Sequence, residues 1–136
     1  MPEFLFRPRL NGKEPSLALL DQLAAEFATS TLATGVQYVT YTSEPTALVV
    51  SHAQQVLWLR RSESFEFWIR DTPHPYSAAH EILSDKSGDT NGMVDVPAFA
   101  WLPQFEGDDR ANIKEDARKL HRYGIIVVLL WVEECI

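Results

Sequence analysis

Apolar positions return at two different periods along this chain. Over residues 15–29, Leu17, Leu20, Leu23, Ala24 and Phe27 recur at helical spacing, with Asp21, Gln22 and Glu26 on the other side. This spacing predicts an amphipathic helix whose first turn tolerates Pro15. Past Gly35 the period becomes two, with Val36, Tyr38 and Thr40 set against Gln37, Val39 and Tyr41, and the pattern predicts a strand ending at Ser43-Glu44-Pro45. Residues 47–51, 55–60 and 65–70 are rich in Val, Leu, Phe and Trp and are joined by short polar links, as in an antiparallel meander. Residues 3–7 alternate enough for one more short strand, followed by an Asn11-Gly12 turn.

The second half is less regular. Pro73-His74-Pro75 interrupts the sheet pattern, and residues 77–84 suit a short helix capped by Ser77. Residues 85–107 hold Gly88, Asn91-Gly92, Pro97 and Pro103, yet also Met93, Val94, Val96, Phe99, Trp101, Leu102 and Phe105, which is too apolar for a linker and predicts a long packed loop. Asp108 or Asp109 then opens a second long helix, acidic at its start and basic at Lys119, His121 and Arg122, with Glu115 and Lys119 one turn apart. Gly124 ends it. Residues 125–132 are apolar on both faces, the pattern of a central strand covered on both sides. The expected fold is one α+β domain over residues 1–136, mainly an antiparallel sheet with two long helices, in the order β-α-β-β-β-β-α-α-β.

Charge changes this picture in one place. Residues 81–109 carry seven acids (Glu81, Asp85, Asp89, Asp95, Glu106, Asp108 and Asp109) against Lys86, which accounts for six of the seven net negative charges. A one-sign field mixed with large rings suits recognition of a basic protein. The expected partner-binding residues are therefore Asp89, Asp95, Phe99, Trp101, Phe105, Glu106, Asp108 and Asp109. Trp58, Trp68 and Trp131 lie in expected strands and are assigned to the core, leaving Trp101 as either a loop anchor or an interface anchor. The overall acidity disfavours nucleic acid as a partner, since Arg7 with Arg9 and Arg60 with Arg61 are the only dense basic pairs. Cys135 is the only cysteine, so an internal disulfide is impossible and a reducing, cytoplasmic setting is expected, without a secretory leader. The longest apolar run is too short to cross a bilayer.

Each candidate for chemistry lacks a part. His80-Glu81 begins a zinc-peptidase pattern, but Ser84 stands where the second histidine belongs. Ser87, Asp89, Asn91 and Gly92 match the start of a calcium loop, but Ala98 occupies the position of its bidentate carboxylate. Ser51-His52 and Ser77 with His80 have no nucleophile elbow, Asp89 with Asp95 has no known separation, and no glycine loop precedes a Lys-Ser or Lys-Thr pair. No metal or cofactor is expected.

In size, charge and reduced state the chain resembles the small acidic immunity proteins that bacteria pair with toxins. The likeness implies a module that occludes a basic surface of its partner and carries no residue roles with it. Two alternatives stand beside it: a small hydrolase or transferase with a site near His74, His80 and Glu81, and an adaptor whose loop mediates assembly.

Overall fold

The computed structural model describes residue 10 and residues 13–84, 88–120 and 124–133. Its elements are α1 (Leu17–Glu26), α2 (Thr31–Tyr41), β1 (Thr46–His52), β2 (Gln55–Arg61), α3 (Ala78–Ser84), β3 (Val94–Pro97), β4 (Asn112–Leu120) and β5 (Ile125–Trp131). Short 3-10 turns occupy Ala98–Ala100 and Pro103–Phe105. The five strands form one antiparallel sheet in the order β2-β1-β5-β4-β3. The class is α+β with two long helices, as the patterns predict; the order of elements is not the expected one.

β5 is the middle strand, and its side chains divide between two cores. Ile126, Val128 and Leu130 join Ala47, Val49, Ala117, Ile82 and Trp101 on one face. Val127 and Leu129 join Leu48 and the α1–α2 residues Leu17, Leu20, Leu23 and Tyr38 on the other. An all-apolar strand is satisfied only when both faces are covered. β1 and β2 form the expected hairpin, closed by Ala53 and Gln54 at φ of 50° and 65°, the left-handed pair that a two-residue turn needs.

Four segments depart from expectation: residues 36–41, 65–70 and 112–120, and the expected long loop at 85–107, part of which pairs with β4 as β3 (Val94–Pro97). Residues 36–41, expected as a strand, belong to α2. Its N-cap Ser30 accepts the Ala33 N–H (3.0 Å), and Thr34, Gly35, Tyr38 and Val39 make its buried stripe. Residues 112–120, expected as a helix, form β4 between β3 and β5, with Ile113, Glu115 and Ala117 on one face and Lys114, Asp116 and Arg118 on the other. Glu115 and Lys119, four residues apart on one strand, are thus separated by about 13 Å and not by one helical turn. Asp108 caps no helix; its Oδ1 accepts the Arg110 and Ala111 N–H groups (2.9 and 3.3 Å) in the turn that enters β4.

The segment expected as a third meander strand, residues 65–70, is extended but outside the sheet. It runs beside β2, tied by Val56 N–H to the Asp71 carbonyl (2.7 Å) and by Arg61 Nη1 to the Phe67 carbonyl (2.9 Å). The expected strand at 3–7 and the basic end at His121 and Arg122 lie outside the described residues, as do Asp85 and Cys135. Among the described residues no helix is long and apolar enough to cross a membrane.

Candidate functional site: an acidic cleft at the sheet edge

The site is built on the β3 edge of the sheet. Residues 88–90 and 94–97 both pair with β4, but between them Asn91 and Gly92 turn through φ of 53° and 120° and push the chain out as a bulge. Thr90 anchors this bulge: its Oγ accepts the Ala117 N–H (3.0 Å) and lies within donor range of Asp116 Oδ1 (2.9 Å) and the Gly92 carbonyl (2.7 Å). The bulge therefore fixes where Asp89 and Asp95 sit on either side of it.

α3 supplies the opposite wall, and a buried acid sets its position. The two carboxylate oxygens of Glu115 accept the Ala78 and Ala79 N–H groups, each at 2.8 Å, occupying donors that the start of a helix leaves free. Glu115 is 0% exposed, and burial pushes its carboxyl above the ordinary value against the opposing pull of Trp101 and the two N–H groups. Trp101 Nε1 favours the ionised Glu115 yet meets hydrogen-bond geometry with no acceptor, leaving it a buried orphan donor.

Between β3 and α3 lies a cleft of about 370 Å³ lined by Tyr76, Glu81, Asp89, Thr90 and β3; the carboxylates of Asp89 and Asp95 stand on the other face of the sheet, across from Arg118 and Lys114. Tyr76 is 66% exposed, while its ring rests against His74 and Phe99 at 5.3 and 5.9 Å between centroids. Asp95 pairs with Lys114 (3.1 Å), and this hydrogen bond holds the Lys114 ammonium above its ordinary pKa. Arg118, beside Asp89 across the strands, is engaged instead with Asp21 of α1.

The expected binding residues are divided by the fold. Asp89 and Asp95 both border the cleft, their carboxylates turned to the α1 face, and Phe99 supports its rim through Tyr76. Phe105 packs on Phe67 (5.5 Å), and Glu106 pairs with Arg70 (3.5 Å); neither these nor Asp108 and Asp109 line the cleft. Trp101 is withdrawn from the surface altogether. It is 0% exposed, because the 3-10 turn at Ala98–Ala100 folds it beneath the sheet, so it is a core residue and no interface anchor.

The exposed tryptophan is Trp68, expected in the core but 70% exposed, with Arg61 stacked 5.4 Å from its ring centroid. The signal was present in the alternation: Phe65, Phe67 and Ile69 point inward, which leaves Trp68 on the side of Glu66 and Arg70. Its backbone is held in the orientation of Gln104 in which the amide oxygen accepts the Trp68 N–H (2.7 Å) and the amide nitrogen donates to its carbonyl (3.3 Å).

His74 and Ser77 bond to nearby backbone. His74 Nδ1 accepts the Tyr76 N–H (3.1 Å) and its ring lies edge-on to Phe99, while Ser77 Oγ accepts the His80 N–H (3.1 Å) and donates to the His74 carbonyl (2.7 Å). These bonds shape the turn into α3. Among the described residues no three His, Cys, Asp or Glu side chains converge as a metal site would require. No known family model matches the chain, and no curated protein is similar to it in sequence.

Proposed function

We propose that this protein is a protein-binding module of the inhibitor or immunity kind, which occludes a basic surface of its partner with the cleft between α3 and β3. The observation that carries the reading is the β3 edge itself, where Asp89 and Asp95 stand on the α1 face and Glu81 with the exposed Tyr76 ring lines the cleft on the α3 face. Carboxylates on both faces of one sheet edge set up a negative field along it, and an aromatic rim offers a cation a second attractive surface. The test is the association of the isolated partner with an Asp89→Asn/Asp95→Asn variant across a salt series, with melting temperature as the folding control. Association slowed at low salt and less dependent on salt is expected. Unchanged association at low salt, with the fold intact, removes the reading.

A specific observation also favours the adaptor alternative. Trp68 is a large exposed ring on a backbone fixed by Gln104, and rigid exposed aromatics are the side chains that anchor interfaces. On this reading Trp68→Ala abolishes assembly with a subunit at constant melting temperature. Sedimentation of the wild-type and variant complexes decides it, and equal assembly by both eliminates it.

A further inference from the structure

The β3 edge offers more than charge. In an antiparallel pair, alternate residues turn their backbone groups toward the neighbouring strand and the others turn theirs away. The Ala98 N–H donates to the Ala111 carbonyl (2.8 Å), which fixes the alternation: with the register Val94↔Glu115 to Pro97↔Asn112, Val94 and Val96 bond to β4, whereas Asp95 and Pro97 face outward. Farther along, the bonds from Thr90 N–H to the Ala117 carbonyl (2.9 Å) and from Lys119 N–H to the Gly88 carbonyl (2.6 Å) turn the Asp89 backbone outward as well. No backbone hydrogen bond from the described residues reaches the outward groups of Asp89 or Asp95.

The outward run is short. Pro97 has no N–H to give, and the bulge at Asn91 and Gly92 breaks the edge on the other side, so Asp95 alone presents both an N–H and a carbonyl within β3. The far edge of the sheet, β2, is flanked by residues 65–71 and has its Val56 N–H already bonded. The open rung at Asp95 thus lies on the acidic cleft, and its two guards prevent pairing with a long strand.

We infer that the cleft takes a short extended segment of a basic partner as an added strand, one residue of which exchanges hydrogen bonds with the N–H and carbonyl of Asp95. This rests on the binding reading above and specifies its mode: main-chain pairing sets the register, while Asp89 and Asp95 select cationic side chains beside the paired residue. Charge complementarity chooses this occupant, because a segment carrying acids along this edge would stand beside the Asp89 and Asp95 carboxylates, which project from it on the α1 face.

The experiment is a titration of the whole isotope-labelled chain, at low salt, with the capped peptide Lys-Val-Arg-Val-Lys and with its twin N-methylated at the arginine, which keeps every charge but cannot donate from that residue. The first peptide is expected to shift the Asp95 amide and slow its hydrogen exchange. The methylated twin is expected to bind about tenfold more weakly, the value of one good hydrogen bond. Equal affinity for the two peptides, both weakened by Asp89→Asn, means recognition by charge alone and overturns strand addition while leaving the binding reading in place. Failure of both peptides to bind, or binding that ignores Asp89→Asn/Asp95→Asn, overturns both.

Discussion

Glu115 and Asp116 are neighbours on β4 whose carboxylates lie on opposite faces of the sheet, and each holds the first turn of a helix there. Glu115 accepts the Ala78 and Ala79 N–H groups of α3, and Asp116 Oδ2 accepts the Leu17 N–H of α1 (2.8 Å). Strand alternation sends adjacent side chains to opposite sides, so two consecutive acids suffice to fix both helical layers to one strand. Both are nearly or fully buried, at 0% and 3% exposure, and each finds the positive end of a helix as its compensation.

Each acid should therefore control its own helix. Glu115→Ala leaves two N–H groups without an acceptor and is expected to cost roughly 2 kcal/mol or more, with faster exchange at Ala78 and Ala79. Asp116→Ala is expected to cost about 1–2 kcal/mol, with faster exchange at Leu17 instead. Denaturant midpoints and amide exchange check both. Identical exchange patterns in the two variants would refute separate control.

Two acids should shape the pH dependence with opposite signs. Asp21 is held below its ordinary value of 3.8, chiefly by the Arg118 guanidinium at 2.8 Å, so the unfolded chain binds a proton before the folded one and stability is lost as pH falls below 3.8. Glu115 is raised above 4.5, so the folded chain keeps its proton longer and stability declines as pH rises from 4.5 through the folded-state value. Asp21→Asn should flatten the first slope and Glu115→Gln the second. Melting curves from pH 2 to 8 provide the measurement, and slopes unchanged by the variants would count against these assignments.

The two tryptophans should behave oppositely on truncation. Trp101→Ala empties a fully buried site and is expected to cost about 3–5 kcal/mol. Trp68→Ala removes an exposed ring and should change stability by about 0.5 kcal/mol or less. Urea unfolding distinguishes them, and a larger loss from Trp68→Ala would contradict the packing described.

Gly35 marks the closest approach of α2 to the sheet. A Cβ there would stand 2.9 Å from Leu48 Cδ2 and 3.4 Å from Leu20 Cδ1, both on buried residues. Alanine gains up to about 1 kcal/mol in helix propensity, but overpacking costs about 1–3 kcal/mol. Gly35→Ala is expected to lower the melting temperature, and a raised one would show that Leu48 yields freely.

Where the pattern of residues permits one solution, the element follows from it. An apolar run at residues 125–132 needs cover on both faces, so it must be a central strand; the stripe of Leu17, Leu20 and Leu23 needs a single core-facing side, so it must be a helix. The acidity of the β3 edge was equally legible in Asp89 and Asp95, whereas Trp68, assigned to the core from its apolar neighbours, is exposed because Phe65, Phe67 and Ile69 take the inward phase. Long-range partners settle α2 and β4. Val36, Tyr38 and Val39 suit strand or helix, and the Ser30 cap with packing on α1 and Leu48 selects the helix. Residues 112–120 are rich in helix formers, yet the slot between β3 and β5 supplies two ladders of hydrogen bonds, and two helix N-termini stand ready for Glu115 and Asp116. Local propensity is worth a few tenths of a kcal/mol per residue, so long-range partners of this kind outweigh it. For the same reason the placing of Glu81 and Tyr76 at the β3 edge could not be read from spacing: Glu115, more than thirty residues downstream, holds the first turn of α3 there.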